Sequence, residues 1–190
     1  LLNAEDEGNR RCIMVTNNEV SDEESTKLRK DGYKPGDPEW EKLGIAHYVT
    51  WPRTVCSIKG EDINGKPLKG TYLDSELNMS DGFKTNTAFF KLGFLDKNAV
   101  ALGIQFEELL SVLWMKSGCI GPCPTLEDDS LPEMLILPEN SMAILIDEHG
   151  FSEFETKVNK EDIKTVFIVT DSNNGFQEMA SRLKAENSYQ

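Results

Sequence analysis

Met134-Leu135-Ile136-Leu137-Pro138-Glu139-Asn140-Ser141-Met142-Ala143-Ile144-Leu145-Ile146 decides the class of fold. Two apolar runs, each too short for a helix, flank a four-residue turn, so they read as the strands of a hairpin. Working towards the C-terminus, Phe151, Phe154 and Val158 mark a short helix, and Thr165-Val166-Phe167-Ile168-Val169-Thr170 reads as a further buried strand. A last helix follows through Met179 and Leu183 to Lys184. Strand, helix, strand, helix predicts a small α/β domain with a mixed sheet. Working back, Asn98 to Ser117 is helical and unusually apolar, with Val100, Ile104, Leu109, Leu110, Val112, Leu113 and Trp114, and Gly118 ends it. Its apolar face belongs in a core or against a partner, with core preferred; Trp114 and Met115 are the anchors if it meets a partner. Thr87-Ala88-Phe89-Phe90-Lys91-Leu92-Gly93-Phe94-Leu95 reads as an aromatic strand. Residues 70–83, rich in Gly, Asp, Ser and Asn, read as a loop and divide the chain into 1–69 and 70–190.

In the first part, Arg10-Arg11-Cys12-Ile13-Met14-Val15-Thr16 predicts a strand buried on both faces, as in a parallel sheet. Ser21 through Gly32 predicts a polar helix, with a capping serine, acids in its first turn and bases in its last. Asp37-Pro38-Glu39-Trp40 starts another, with Pro at the first helical position. Ile45, Val49, Pro52, Val55 and Ile58 continue at helical spacing. Pro52 demands a kink, or a fresh start capped by Thr50, and Gly60 supplies the stop. Asn64-Gly65, between Ile63 and Leu68, is a hairpin turn signal.

The 190 residues are 38% hydrophobic and 28% charged, with 20 Lys+Arg against 33 Asp+Glu and a net charge of −13. The acidity is uneven: residues 126–190 hold 5 basic and 14 acidic side chains, net −9. Protein–DNA affinity comes from cations that displace counterions from phosphates, so this last third is expected to repel a duplex. No apolar run reaches the ~18 residues that span a bilayer. Leu1-Leu2-Asn3-Ala4-Glu5-Asp6 has neither the basic start nor the apolar core of a signal peptide. It also lacks a starting Met, and the chain is expected to be a piece of something longer. Cys12, Cys56, Cys119 and Cys123 include one C-x3-C pair without further ligands at zinc spacing. Reduced thiols, a cytoplasmic location and no metal are the expectation.

Catalytic signatures are missing: no G-x-G-x-x-G, G-x4-G-K-[ST], H-E-x-x-H or G-x-S-x-G occurs. His47 falls in a helical stretch and His149 beside Gly150 at a strand end, where a turn role is expected. The pairs Glu107-Glu108 and Asp128-Asp129 read as solvated faces. Doubly wound sheets bind ligands beyond the carboxyl ends of their strands. Thr16-Asn17-Asn18-Glu19 holds that position, and an acid there can accept hydrogen bonds from both ribose hydroxyls of a nucleoside. A polar strand-to-helix turn fits the same residues.

The stretch from Leu2 to Glu19 also resembles adenine-specific DNA methyltransferases, in particular the modification subunit of type III restriction-modification systems. Further stretches are similar to large members of that family: Gly36-Asp37-Pro38-Glu39-Trp40-Glu41-Lys42-Leu43-Gly44-Ile45-Ala46, Tyr48-Val49-Thr50-Trp51-Pro52-Arg53 and Phe90-Lys91-Leu92-Gly93-Phe94-Leu95-Asp96. The resemblance implies that residues 2–19 form the helix end, loop and second strand after the Gly-rich S-adenosylmethionine loop. The fold it implies is α/β, a partial Rossmann-like methyltransferase edge (1–69) followed by a small α/β appendage (70–190).

The family's Asp-Pro-Pro-Tyr type motif does not occur here, and neither does the Gly-rich loop. The resemblance therefore implies a C-terminal portion of an enzyme that flips adenine and methylates its amine, itself inactive and holding no catalytic residue. Thr16, Asn17, Asn18 and Glu19 would lie against the cofactor. In simpler relatives the ribose-binding acid stands where this chain has Thr16; Glu19 follows three residues later. Duplex DNA would be met through other regions of the parent, and the appendage would dimerise or dock a restriction subunit, with no membrane. The alternative is a non-catalytic acidic assembly module, which the −9 of the last third and the apolar helix also fit.

Overall fold

Backbone amides in an apolar run need partners, and that requirement separates the two halves of the chain. A computed structural model describes residues 1–73, 75–101, 103, 105–126, 130–183 and 188–189. They divide into two units, Leu1–Phe89 and Phe90–Gln190.

The N-terminal unit is mostly helix and turn. Helix α1 (Leu2–Asp6) ends at Glu7 in the left-handed region. Helix α2 (Asp22–Lys30) forms as its sequence predicts: the Ser21 side chain accepts from the Glu24 N–H, and acids and bases occupy the ends that suit the helix dipole. Helix α3 (Pro38–Glu41) begins at its proline, but the Asp37 carboxylate accepts from the Lys34 N–H instead of capping it. A π-helical turn, Ala46–Thr50, then runs into α4 (Trp51–Lys59). The wide turn absorbs Pro52 where its missing N–H leaves no gap in the ladder. Thr50 makes no side-chain cap, while Gly60 stops the helix at φ 72°.

Asn64-Gly65 makes the expected turn: the Asp62 N–H donates to the Lys66 carbonyl, and Glu61 and Pro67 form an antiparallel bridge. Residues 70–73 and 75–83 hold more structure than an open loop. They carry a bridge between Thr71 and Asn78, a 3-10 turn at Met79–Asp81, and a bond from the Phe83 N–H to the Ile58 carbonyl. This segment closes on the end of α4 so tightly that a Cβ at Gly60 would lie 2.3 Å from the Ser80 carbonyl oxygen.

The strand expected over Arg10–Thr16 does not form. Those residues are irregular, and Cys12, Ile13, Met14 and Val15 are exposed, Ile13 to 91%. An apolar run of this length specifies a strand only if a neighbour accepts its hydrogen bonds. The described residues of this unit contain bridges but no strand ladder. Only Leu28, Trp40 and Ala46 are buried hydrophobics among them, and the Arg29 guanidinium lies over Trp40, 5.6 Å from the ring centre.

The C-terminal unit has a complete core. The single helix expected from Asn98 to Ser117 is two, α5 (Lys97–Ala101) and α6 (Phe106–Lys116). Gly103, at φ 76°, parts them, and a Cβ there would lie 2.4 Å from Leu131 Cδ2. The Asp96 carboxylate caps α5 through the Ala99 N–H; Ile104 lies outside the described residues. The aromatic strand expected over Thr87–Leu95 is irregular, with Leu92 and Phe94 fully exposed, for the same want of a pairing neighbour.

Beyond it, β1 (Met134–Leu137) and β2 (Met142–Leu145) form the predicted antiparallel hairpin, Leu137 opposite Met142. Helix α7 (Phe151–Val158) returns the chain to β3 (Thr165–Ile168), parallel to β2. Helix α8 (Asn173–Arg182) leads to a two-residue edge strand, β4 (Ser188–Tyr189), parallel to β3. Lys184, where the last helix was expected to end, lies outside the described residues.

The fold is thus mixed α/β. Two parallel crossovers in the same direction place α7 and α8 on one sheet face, where Phe151, Phe154, Val158 and Met179 pack with Ala143, Leu145 and Val166. Helix α6 covers the other: Phe106, Leu110 and Trp114, one turn apart, pack on Met142, Ile144 and Phe167. The core reading of this helix holds, with Trp114 buried and Met115 42% exposed.

Candidate functional site

Of the four residues at the end of the expected first strand, Asn18 is the one the fold employs. Its Nδ2 donates to the Glu41 backbone carbonyl at 2.7 Å and to Glu41 Oε2 at 2.9 Å, while its Oδ1 accepts from the His47 N–H at 3.2 Å. Next to it, the Glu19 carbonyl accepts from the Ile45 N–H. Glu41 Oε1 in turn accepts from the Gly36 N–H. A Cβ at Gly44 would sit 2.1 Å from the Asn18 side chain, so a larger residue there would displace that side chain from its bonds. Asn18 therefore pins the 17–20 segment to the turn between α3 and the π-helical turn.

Thr16, Asn17 and Glu19 are exposed, and the Thr16 hydroxyl donates only to the neighbouring Asn17 carbonyl at 3.2 Å. The four residues are contiguous, but they do not converge on one point. Beside them, Met14 borders a shallow groove of about 470 Å3 with Val49 and Thr50 of the π-helical turn and Arg53, Thr54, Ser57 and Ile58 of α4. Its polar members recur at helical spacing over residues 50–57, a pattern legible in the sequence. The Asn18–Glu41 link was not readable, because 23 residues separate its ends.

In the C-terminal unit, His149 stands where a turn role was expected. Asp147 accepts from both the His149 N–H at 3.0 Å and Nδ1 at 2.7 Å. The carboxylate raises the imidazole's pKa, and the bonds from His149 lower that of Asp147. The pair is exposed to solvent and has no hydroxyl or thiol nucleophile bonded to it among the described contacts. His47 meets the edge of Phe89, ring centres 5.7 Å apart. Glu107 and Glu108 sit in the first turn of α6, both exposed; Asp128 and Asp129 lie outside the described residues. Among the described residues no group of three His, Cys, Asp or Glu side chains could hold a metal ion, and no helix is long and apolar enough to cross a membrane.

No protein-family model, curated protein or solved structure matches the chain.

Proposed function

We propose that this chain is the C-terminal portion of a site-specific adenine DNA methyltransferase of a restriction-modification system, inactive by itself. The observation that carries the reading is the exposed run Ile13-Met14-Val15. It lies in the stretch that resembles the family's second sheet strand, and its neighbours in this unit offer it no ladder. In the parent enzyme it would pair with sheet strands supplied from elsewhere, so that residues 1–69 complete a Rossmann-like edge. S-adenosylmethionine would then lie beyond the carboxyl end of that strand, near Thr16, Asn17, Asn18 and Glu19. Of these, Glu19 carries the carboxylate able to accept from ribose hydroxyls, while Asn18 is engaged in holding the turn. DNA would be bound by other regions, because residues 126–190 carry a net charge of −9. The C-terminal unit would serve dimerisation or docking of a restriction subunit.

The test begins with the gene. An in-frame Gly-rich loop and an Asp-Pro-Pro-Tyr type motif encoded ahead of Leu1 are expected, and the joined protein is expected to move a labelled methyl group from S-adenosylmethionine onto adenine. The 190 residues alone should transfer none. A start codon near Leu1, or unaided turnover by these residues, would overturn the reading. The first of those outcomes would favour a free-standing acidic assembly module, a role that the self-contained core of the C-terminal unit also suits.

A further inference from the structure

The connection leaving α6 is built around two thiols. Cys119 takes a left-handed conformation, φ 57°, uncommon for a side chain-bearing residue, and Gly121 follows at φ 64°. Asn140, only 4% exposed, donates from one Nδ2 to the carbonyls of both Ile120 and Pro122, each at 2.7 Å. Those two oxygens are no farther apart than twice 2.7 Å, whereas residues two apart in an extended chain are separated by about 7 Å. The loop is therefore curled around the amide. The Trp114 Nε1–H bonds the Ile120 carbonyl at 2.9 Å as well, so the curl is anchored from the helix and from the hairpin turn. Cys119 and Cys123 flank this curl, and both pack against the same core cluster beneath α6. Each is half-buried, so small reagents reach them. Burial, with the neighbouring Cys119 adding to it, pushes the Cys123 thiol up.

We propose that Cys119 and Cys123 are a reversible dithiol–disulfide site that closes the turn over residues 119–123 when a small-molecule disulfide oxidises it. The step balances. The Cys119 thiolate attacks one sulfur of the oxidant and expels the first thiol. The Cys123 thiolate then displaces the second, forming the Cys119–Cys123 bond. Two electrons pass to the oxidant, and its two sulfurs leave as thiols carrying the two protons. A disulfide requires Cα atoms within roughly 4.4–6.8 Å, and a curled segment, unlike an extended one, brings the residues on either side of it closer together.

The experiment uses the full chain carrying Cys12→Ser and Cys56→Ser, equilibrated against reduced and oxidised glutathione and then quenched with a maleimide. The peptide spanning residues 119–123 is expected to lose two hydrogens, take up no maleimide, and regain both thiols on reduction. Releasing the curl by Asn140→Ala should lower the closure constant about tenfold, the equivalent of roughly 1.4 kcal/mol of lost hydrogen bonding. Stable glutathione adducts on either cysteine, or two thiols that alkylate whatever the redox poise, would overturn the proposal. So would a closure constant that Asn140→Ala leaves unchanged while circular dichroism reports a folded chain.

Discussion

Asn140 is a polar side chain buried at the hairpin turn, and its one amide nitrogen satisfies two backbone carbonyls of another loop. Asn140→Ala removes both bonds, while the Ile120 carbonyl keeps its bond from Trp114, so it should destabilise the C-terminal unit by about 1–2 kcal/mol in urea denaturation. His149 makes a contrasting case, because its bond to Asp147 is solvated and matters for charge alone. Its raised pKa means that its contribution to stability is complete below the ordinary value of 6.5 and fades as pH climbs through the folded value. The depressed Asp147 pKa works the other way. Its share is complete above the ordinary 3.8 and is lost as pH falls through the folded value. The pair is thus most cohesive between the two. Proton NMR should place the His149 midpoint above 6.5, and Asp147→Asn should bring it down; a midpoint that ignores the substitution would refute the coupling.

Elements show where sequence reading succeeds. The hairpin β1–β2, helix α7 and strand β3 were legible because each element's partners lie close along the chain: β2 meets β1 across four residues and β3 after one helix. The same reading failed at Arg10–Thr16 and Thr87–Leu95, because a strand is defined by a neighbour and neither run has one among the described residues. The split of α5 from α6 was missed because Gly103 looks like a tolerable helix residue until Leu131 is seen against it. At the candidate site, Thr16 to Glu19 were expected at the end of a strand that does not form, and the engagement of Asn18 by Glu41, 23 residues away, was not readable. Two substitutions test the packing of elements. Leu110→Ala removes a side chain with no exposed surface from beneath the sheet and should cost about 2–5 kcal/mol by chemical denaturation. Gly60→Ala forces a Cβ into the Ser80 carbonyl at a left-handed φ, and should cost at least about 1–2 kcal/mol. Hydrogen exchange should accelerate at the Phe83 amide, which bonds across that junction.

Across the molecule, buried apolar side chains are unevenly shared. Among the described residues, Leu28, Trp40 and Ala46 serve the first unit, while the second has the two faces of its sheet covered. Stability follows buried area, so the chain should not unfold in one step. Calorimetry is expected to resolve a weak early transition and a sharper later one. Limited trypsin digestion below the second should cut first at Arg10 and Arg11 and spare the β2–β3 amides from exchange; a single coincident transition would contradict this. The bare Cys12–Val15 run has one more consequence. Short, uncharged and rich in β-branched and long aliphatic side chains, it is the kind of segment that templates cross-β stacking between copies. Mutual repulsion at −13 opposes that stacking, so a pH near the isoelectric point of 4.6, or molar salt, by neutralising or screening the charge, is expected to turn an innocuous surface into a nucleus for fibrils.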